Sequence, residues 1–144
     1  MNRTLYDKDY YLWLDEMSQL LQDGRIAELD LENLLEEIQS MARNEKRALA
    51  SNLRILLMHL LKWKYQSEKQ SNSWRSSVVE HRKRIRDILK DSPSLKPYFT
   101  KVLSDCYQDA RDLAAAETGL SINTFPEESP LTHEEILNPE YLPD

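Results

Sequence analysis

Apolar residues return at three- and four-residue spacing along most of the chain, a pattern that predicts helices rather than strands. Tyr10, Trp13, Leu14, Met17, Leu20 and Leu21 form the first stripe. It stops at Gln22-Asp23-Gly24, where Gly24 suits the left-handed position past a helix end. Asp30 then offers a side-chain cap, with Glu32, Glu36 and Glu37 near the positive end of the next helix. That second helix keeps its apolar face from Leu31 through Leu34, Leu35, Ile38, Met41, Ala42, Leu49, Leu53, Leu56, Leu57 and Leu60 to Trp63. No proline or glycine interrupts it, although Asn44 offers a restart and leaves a kink near 43–45 open. Glu45, Asn52 and His59, seven residues apart, run a polar seam along this otherwise apolar surface.

A polar connection, QSEKQSN at 66–72, has the length usual between packed helices. Ser71 or Ser73 caps the third helix, whose stripe is Trp74, Val78, His81, Ile85, Ile88 and Leu89. Asp91-Ser92-Pro93 makes a stop and a restart, since proline is accepted in a first turn but not inside a helix. The fourth helix carries Leu95, Phe99, Val102, Leu103, Cys106, Ala110 and Leu113, and Gly119 marks its end. Four of the six prolines lie in the last 20 residues, so the tail is irregular. One short helix is signalled there by Thr132 and Glu135 as a capping box, with Leu131 and Ile136 spaced as a hydrophobic staple. The expectation is an all-α antiparallel bundle of about four main helices. It forms one domain over 1–144, with a core over about 5–119 and the tail 120–144 packed on it.

Composition sharpens this picture in three places. Two glycines in 144 residues are too few for a turn-rich β protein. The single cysteine, Cys106, cannot form an internal disulfide, which suits a reducing compartment. The opening MNRTLYDKDYY lacks the apolar run of a secretory signal, and LRILLMHLLKW at 53–63 is short and carries Arg54, His59 and Lys62. No membrane association and a cytoplasmic location are therefore expected. The net charge of −6 conceals an asymmetry: residues 62–86 hold eight Lys/Arg against two Glu, and residues 104–144 hold ten acids against one base. An acidic chain with one basic segment is not built for indiscriminate nucleic-acid binding.

Candidate chemistry is sparse. About a hairpin centred near residue 70, His59 and His81 stand at equal distance and share apolar stripes, which is the beginning of a metal site. No HxxxH or ExxH motif adds ligands, and two core-edge histidines are the plainer account. Arg75, Arg82 and Arg86 share one sector of the third helix. With Lys64, Lys69 and Lys83 they could follow a phosphate backbone or a protein partner. Asp105, Asp109 and Asp112, at i, i+4 and i+7 on the fourth helix, would equally explain the arginine row by ion pairing across the bundle. Trp13, Trp63 and Trp74 lie on apolar stripes and read as core anchors; Cys106 reads as buried and inert. Both glycines are consumed as helix stops, leaving no Gly-rich phosphate cradle, and no GxSxG, CxxC or HExxH motif occurs. No cofactor and no catalytic residue is implied.

YDKDYYLWL, LDLENLLEEIQSMARNEKR, HLLKW, the SxSWR at Ser71–Arg75, DSPSL, YQDARDLAAAETGL and TFPEESP occur in this order over nearly the whole chain. The series resembles a bacterial family catalogued as domain of unknown function 29. The resemblance implies a compact helical protein and brings no activity or catalytic residue with it. The family pattern often has proline where Ser67 stands and arginine where Gln70 stands, so it carries no basic-loop role to this chain. The functional expectation is a non-catalytic protein-interaction module with a protein partner, and with self-association through its opposite charges left open. A nucleic-acid-associated protein using the basic 62–86 segment is the second reading. A metal-dependent enzyme at His59 and His81 is the third.

Overall fold

The computed structural model describes residues 5–144; the opening MNRT, part of the stretch read above as lacking a secretory signal, lies outside them. The described residues form six helices and no strand: α1 (Leu5–Lys8), α2 (Tyr10–Gln22), α3 (Leu31–Tyr65), α4 (Asn72–Asp91), α5 (Lys96–Thr118) and α6 (His133–Leu137). Single 3₁₀ turns sit at Ile26–Glu28, Ser67–Lys69, Pro93–Leu95 and Ile122–Thr124. The four long predicted helices are all present, and α3 runs through 43–45 as one helix. The chain divides into two compact units, one ending at Asn44 and one spanning Glu45–Asp144, so that α3 contributes to both.

In the unit ending at Asn44, Asp9 caps α2 by accepting from the Leu12 amide at 3.1 Å. Gly24 takes φ +69° beyond its end, a conformation that costs a side chain steric strain. The chain then returns as α3, and few side chains hold the pair together. Trp13 is 1% exposed, meets Tyr6 edge-on at 4.7 Å, and donates its indole N–H to Asp30 at 3.1 Å. Asp30 performs the predicted capping task loosely, accepting from the Asn33 amide at 3.4 Å. Tyr10 donates to one oxygen of Glu37 at 2.6 Å and Tyr6 donates to the other. Trp13 and Met17 are the buried residues of this unit among those described.

Glu45–Asp144 has a fuller core. Its helices turn up, down and up. The Lys62 ammonium lies over the Trp74 ring at 4.5 Å, and His59, earlier on α3, lies near enough to His81, later on α4, to feel its charge, so α4 runs antiparallel to α3. Cys106 reaches the Ala50 carbonyl, Arg54 reaches Asp109 and Lys62 reaches Glu117, so α5 runs parallel to α3. Leu49, Leu53, Leu56, Leu57 and Leu60 from α3, Val78, Ile85 and Leu89 from α4, and Phe99, Tyr107, Ala110 and Ala114 from α5 fill the interior. Ser71, one of the two predicted caps, accepts from the Trp74 amide at 3.2 Å to start α4. Gly119 closes α5 at φ +75°.

The tail supplies the remaining wall. It descends along α5, fixed where Arg111 donates to the Phe125 carbonyl at 3.0 Å and Tyr107 donates to the Pro126 carbonyl at 2.6 Å. It then crosses to α4, burying Phe125, Leu131 and Ile136. The predicted capping box is complete: Thr132 accepts from the Glu135 amide at 3.1 Å, and Glu135 accepts from the Thr132 amide at 2.9 Å. Thr132→Ala removes one half of that exchange and is expected to lower unfolding stability by about 1 kcal/mol. Urea denaturation of the purified variant measures it.

Candidate functional site

Of the basic residues singled out by sequence, Lys64, Lys69, Arg75, Lys83 and Arg86 are exposed, and Arg82 is not. Arg82 is 2% exposed. Its guanidinium donates to the carbonyls of Ile136 at 2.8 Å, Tyr141 at 3.0 Å and Glu135 at 3.3 Å. These groups include the unpaired carbonyls at the end of α6, so Arg82 terminates a helix contributed by the tail. A planar fork of donors suits three carbonyls at once, which a single ammonium would not. Burial is the main force pulling its pKa downward, with Arg86 adding to it. Arg86 also serves the tail, donating to the Leu137 carbonyl at 2.6 Å. Arg82 is therefore removed from any phosphate-tracking row, and Arg86 is partly occupied.

The aspartate row does not answer the α4 arginines either. Asp109 faces Arg54 of α3 at 3.7 Å, because the parallel α3–α5 contact puts these residues side by side. The tail, not the aspartate row, lies against Arg82 and Arg86. Asp105 and Asp112 are exposed. Cys106 is buried with its thiol against the Ala50 carbonyl, and burial pushes its pKa up, which keeps it protonated and unreactive.

The bend itself holds a pair the sequence did not announce. Lys62 is buried, 3.1 Å from Glu117 and stacked on Trp74. The long stem of Lys62 lies in the core while its ammonium meets Glu117. Trp63 and Trp74 are half-buried, so they brace the corner without entering the interior. His59 and His81 are half-buried too. The His81 ring nitrogen Nδ1 lies 2.8 Å from the Ser77 carbonyl, whereas His59 Nδ1 has no hydrogen-bond partner among the described residues. Burial, then the Lys62 charge, lowers the His59 pKa and so favours the neutral ring. Among the described residues no group of three or more His, Cys, Asp or Glu is placed to hold a metal.

The feature that the sequence did not disclose is on the unit ending at Asn44. Leu31, Leu35, Ile38 and Met41 of α3 are 56–65% exposed. Leu14 and Leu21 of α2 and Ile26 of the following turn are exposed as well. The first six of these belong to the apolar stripes read from sequence, and a stripe at helical spacing does not reveal what covers it. At 100° per residue, Leu31, Leu34, Leu35, Ile38, Met41 and Ala42 occupy a sector of about 120°. Scattered surface leucines are ordinary, but a run of this kind along one helix face is not. Beside it, the two tyrosine hydroxyls hold Glu37 in its anionic form, lowering its pKa, with the Tyr10 bond the largest cause.

Among the described residues no helix is long and apolar enough to cross a membrane. Residues 5–142 match the family model described as Domain of unknown function DUF29. No curated protein and no solved structure matches the chain.

Proposed function

The chain belongs to the DUF29 family, and from its uncovered apolar face we propose that it is a non-catalytic interaction module working in the bacterial cytoplasm. One observation carries the reading: Leu31, Leu35, Ile38 and Met41 lie exposed on a single face of α3. Water contact along that face is unfavourable by roughly 25 cal/mol per Å² of apolar surface, so a partner that covers it gains directly. The basic 62–86 corner supports the reading less strongly, because Arg82 and Arg86 are engaged with the tail.

Leu35→Gln combined with Ile38→Gln tests the proposal. Glutamine keeps helix propensity, and both sites are exposed, so unfolding stability should change by no more than about 0.5 kcal/mol per site. Affinity capture from the native host should show a defined set of proteins retained by the parent chain and lost by the variant. An unchanged set sinks the reading; retention of nucleic acid, lost on Lys83→Glu, would replace it with the alternative use of the basic corner.

A further inference from the structure

We infer that the exposed face of α3 receives a basic amphipathic helix from another protein, a deduction that rests on the interaction-module reading above. The first ground is shape. An uninterrupted apolar strip along one helix, with residues at three- and four-residue spacing, is matched by a helix presenting apolar residues at the same spacing.

Charge decides which kind of helix. Residues 1–44 hold ten Asp/Glu and four Lys/Arg, a balance of −6, whereas residues 45–144 hold fifteen of each and balance to zero. The net charge of the chain therefore resides wholly in the part that carries the uncovered face. Glu32 and Glu37 border the strip within about 60° of its edges, and the tyrosine hydroxyls keep Glu37 ionised. Elsewhere in this unit a shallow cavity of about 340 Å³ is walled by Glu16, Asp23 and Glu28, with only Arg25 of opposite sign. Arg25 is paired with Glu28.

A second copy of this chain fits less well. Face-to-face pairing would bring two surfaces of −6 together. Head-to-tail pairing would require the basic α4 to offer an apolar strip, yet Val79 is its one large exposed apolar side chain. A helix with leucine or isoleucine on one side and lysine or arginine on the other satisfies both the strip and its acidic border.

Fluorescence anisotropy on the intact chain tests this with three labelled peptides of about five helical turns. The first has leucine at three- and four-residue spacing and lysine elsewhere. The second has glutamate for lysine. The third is the first scrambled, so composition is kept and amphipathicity is lost. The lysine peptide should bind at least about tenfold more tightly than either control, equivalent to about 1.4 kcal/mol. Leu35→Gln with Ile38→Gln should remove that advantage, and Glu32→Gln should weaken it. Equal binding of all three peptides, or binding indifferent to Leu35 and Ile38, overturns the inference. Sedimentation that shows a dimer dissolved by the same double substitution also overturns it in favour of a second copy, while leaving the interaction module intact. Failure of the peptides alone leaves the module reading standing, whereas an unchanged capture set removes that reading as well.

Discussion

Arg82→Ala should lower the unfolding free energy of Glu45–Asp144 by about 3 kcal/mol, more than a surface arginine could account for. Three carbonyls at the end of α6 and just beyond it would lose their donors inside the protein. Hydrogen bonds to a charged donor contribute roughly 1.5–3 kcal/mol each, but bonds sharing one guanidinium do not add. Methionine at this position would fill the volume and leave the carbonyls unpaired, so it should rescue little. Lysine can satisfy one or two of them and should fall between. Urea denaturation ranks the three variants. Limited proteolysis supplies a second readout, since cleavage after residue 119 should accelerate with Arg82→Ala. A ranking in which alanine, methionine and lysine all equal the parent would mean that the contact is incidental.

Phe125→Ala is expected to cost about 3–5 kcal/mol, the range for removing a buried aromatic side chain. The ring is 1% exposed and meets Tyr65 edge-on at 5.6 Å, between α3 and the first strap of the tail. Its backbone carbonyl is held by Arg111 whatever the side chain, so the neighbouring segment cannot slide in to close the gap. Calorimetry or denaturant titration gives the number, and a loss below about 1 kcal/mol would show that the site collapses freely. Because Arg82 and Phe125 fasten the same segment, the double variant should lose less than the two single losses combined. Full additivity would mean that each end of the tail docks independently.

Much of the fold was legible because local chemistry dictated it. The stops at Gly24 and Gly119, the Ser71 cap and the Thr132–Glu135 box each depend on residues within a few positions. Periodicity located the long helices for the same reason. What it could not supply was adjacency. The aspartate row was assigned to α4 on the assumption that successive helices pair, whereas the parallel α3–α5 contact gives Asp109 to Arg54. The space left beside α4 then falls to the tail, which explains why Arg82 turns inward. Leu31, Leu35, Ile38 and Met41 follow the same spacing as the buried leucines of the same helix. Nothing in that spacing separates an apolar face already covered from one awaiting cover. Lys62 shows the converse limit: a lysine is seldom buried unless paired, and only the position of Glu117, 55 residues on, allows it here.

α6 is only five residues long. A segment of that size has no standing as an independent helix in water, because nucleation outweighs the few bonds it can form. Its beginning is written into its own residues, but its end is sealed by a side chain from 50 or more positions upstream. The helix therefore cannot be complete until α4 is already in place to receive it. α6 thus takes its shape on a template that residues far from it in the chain have built.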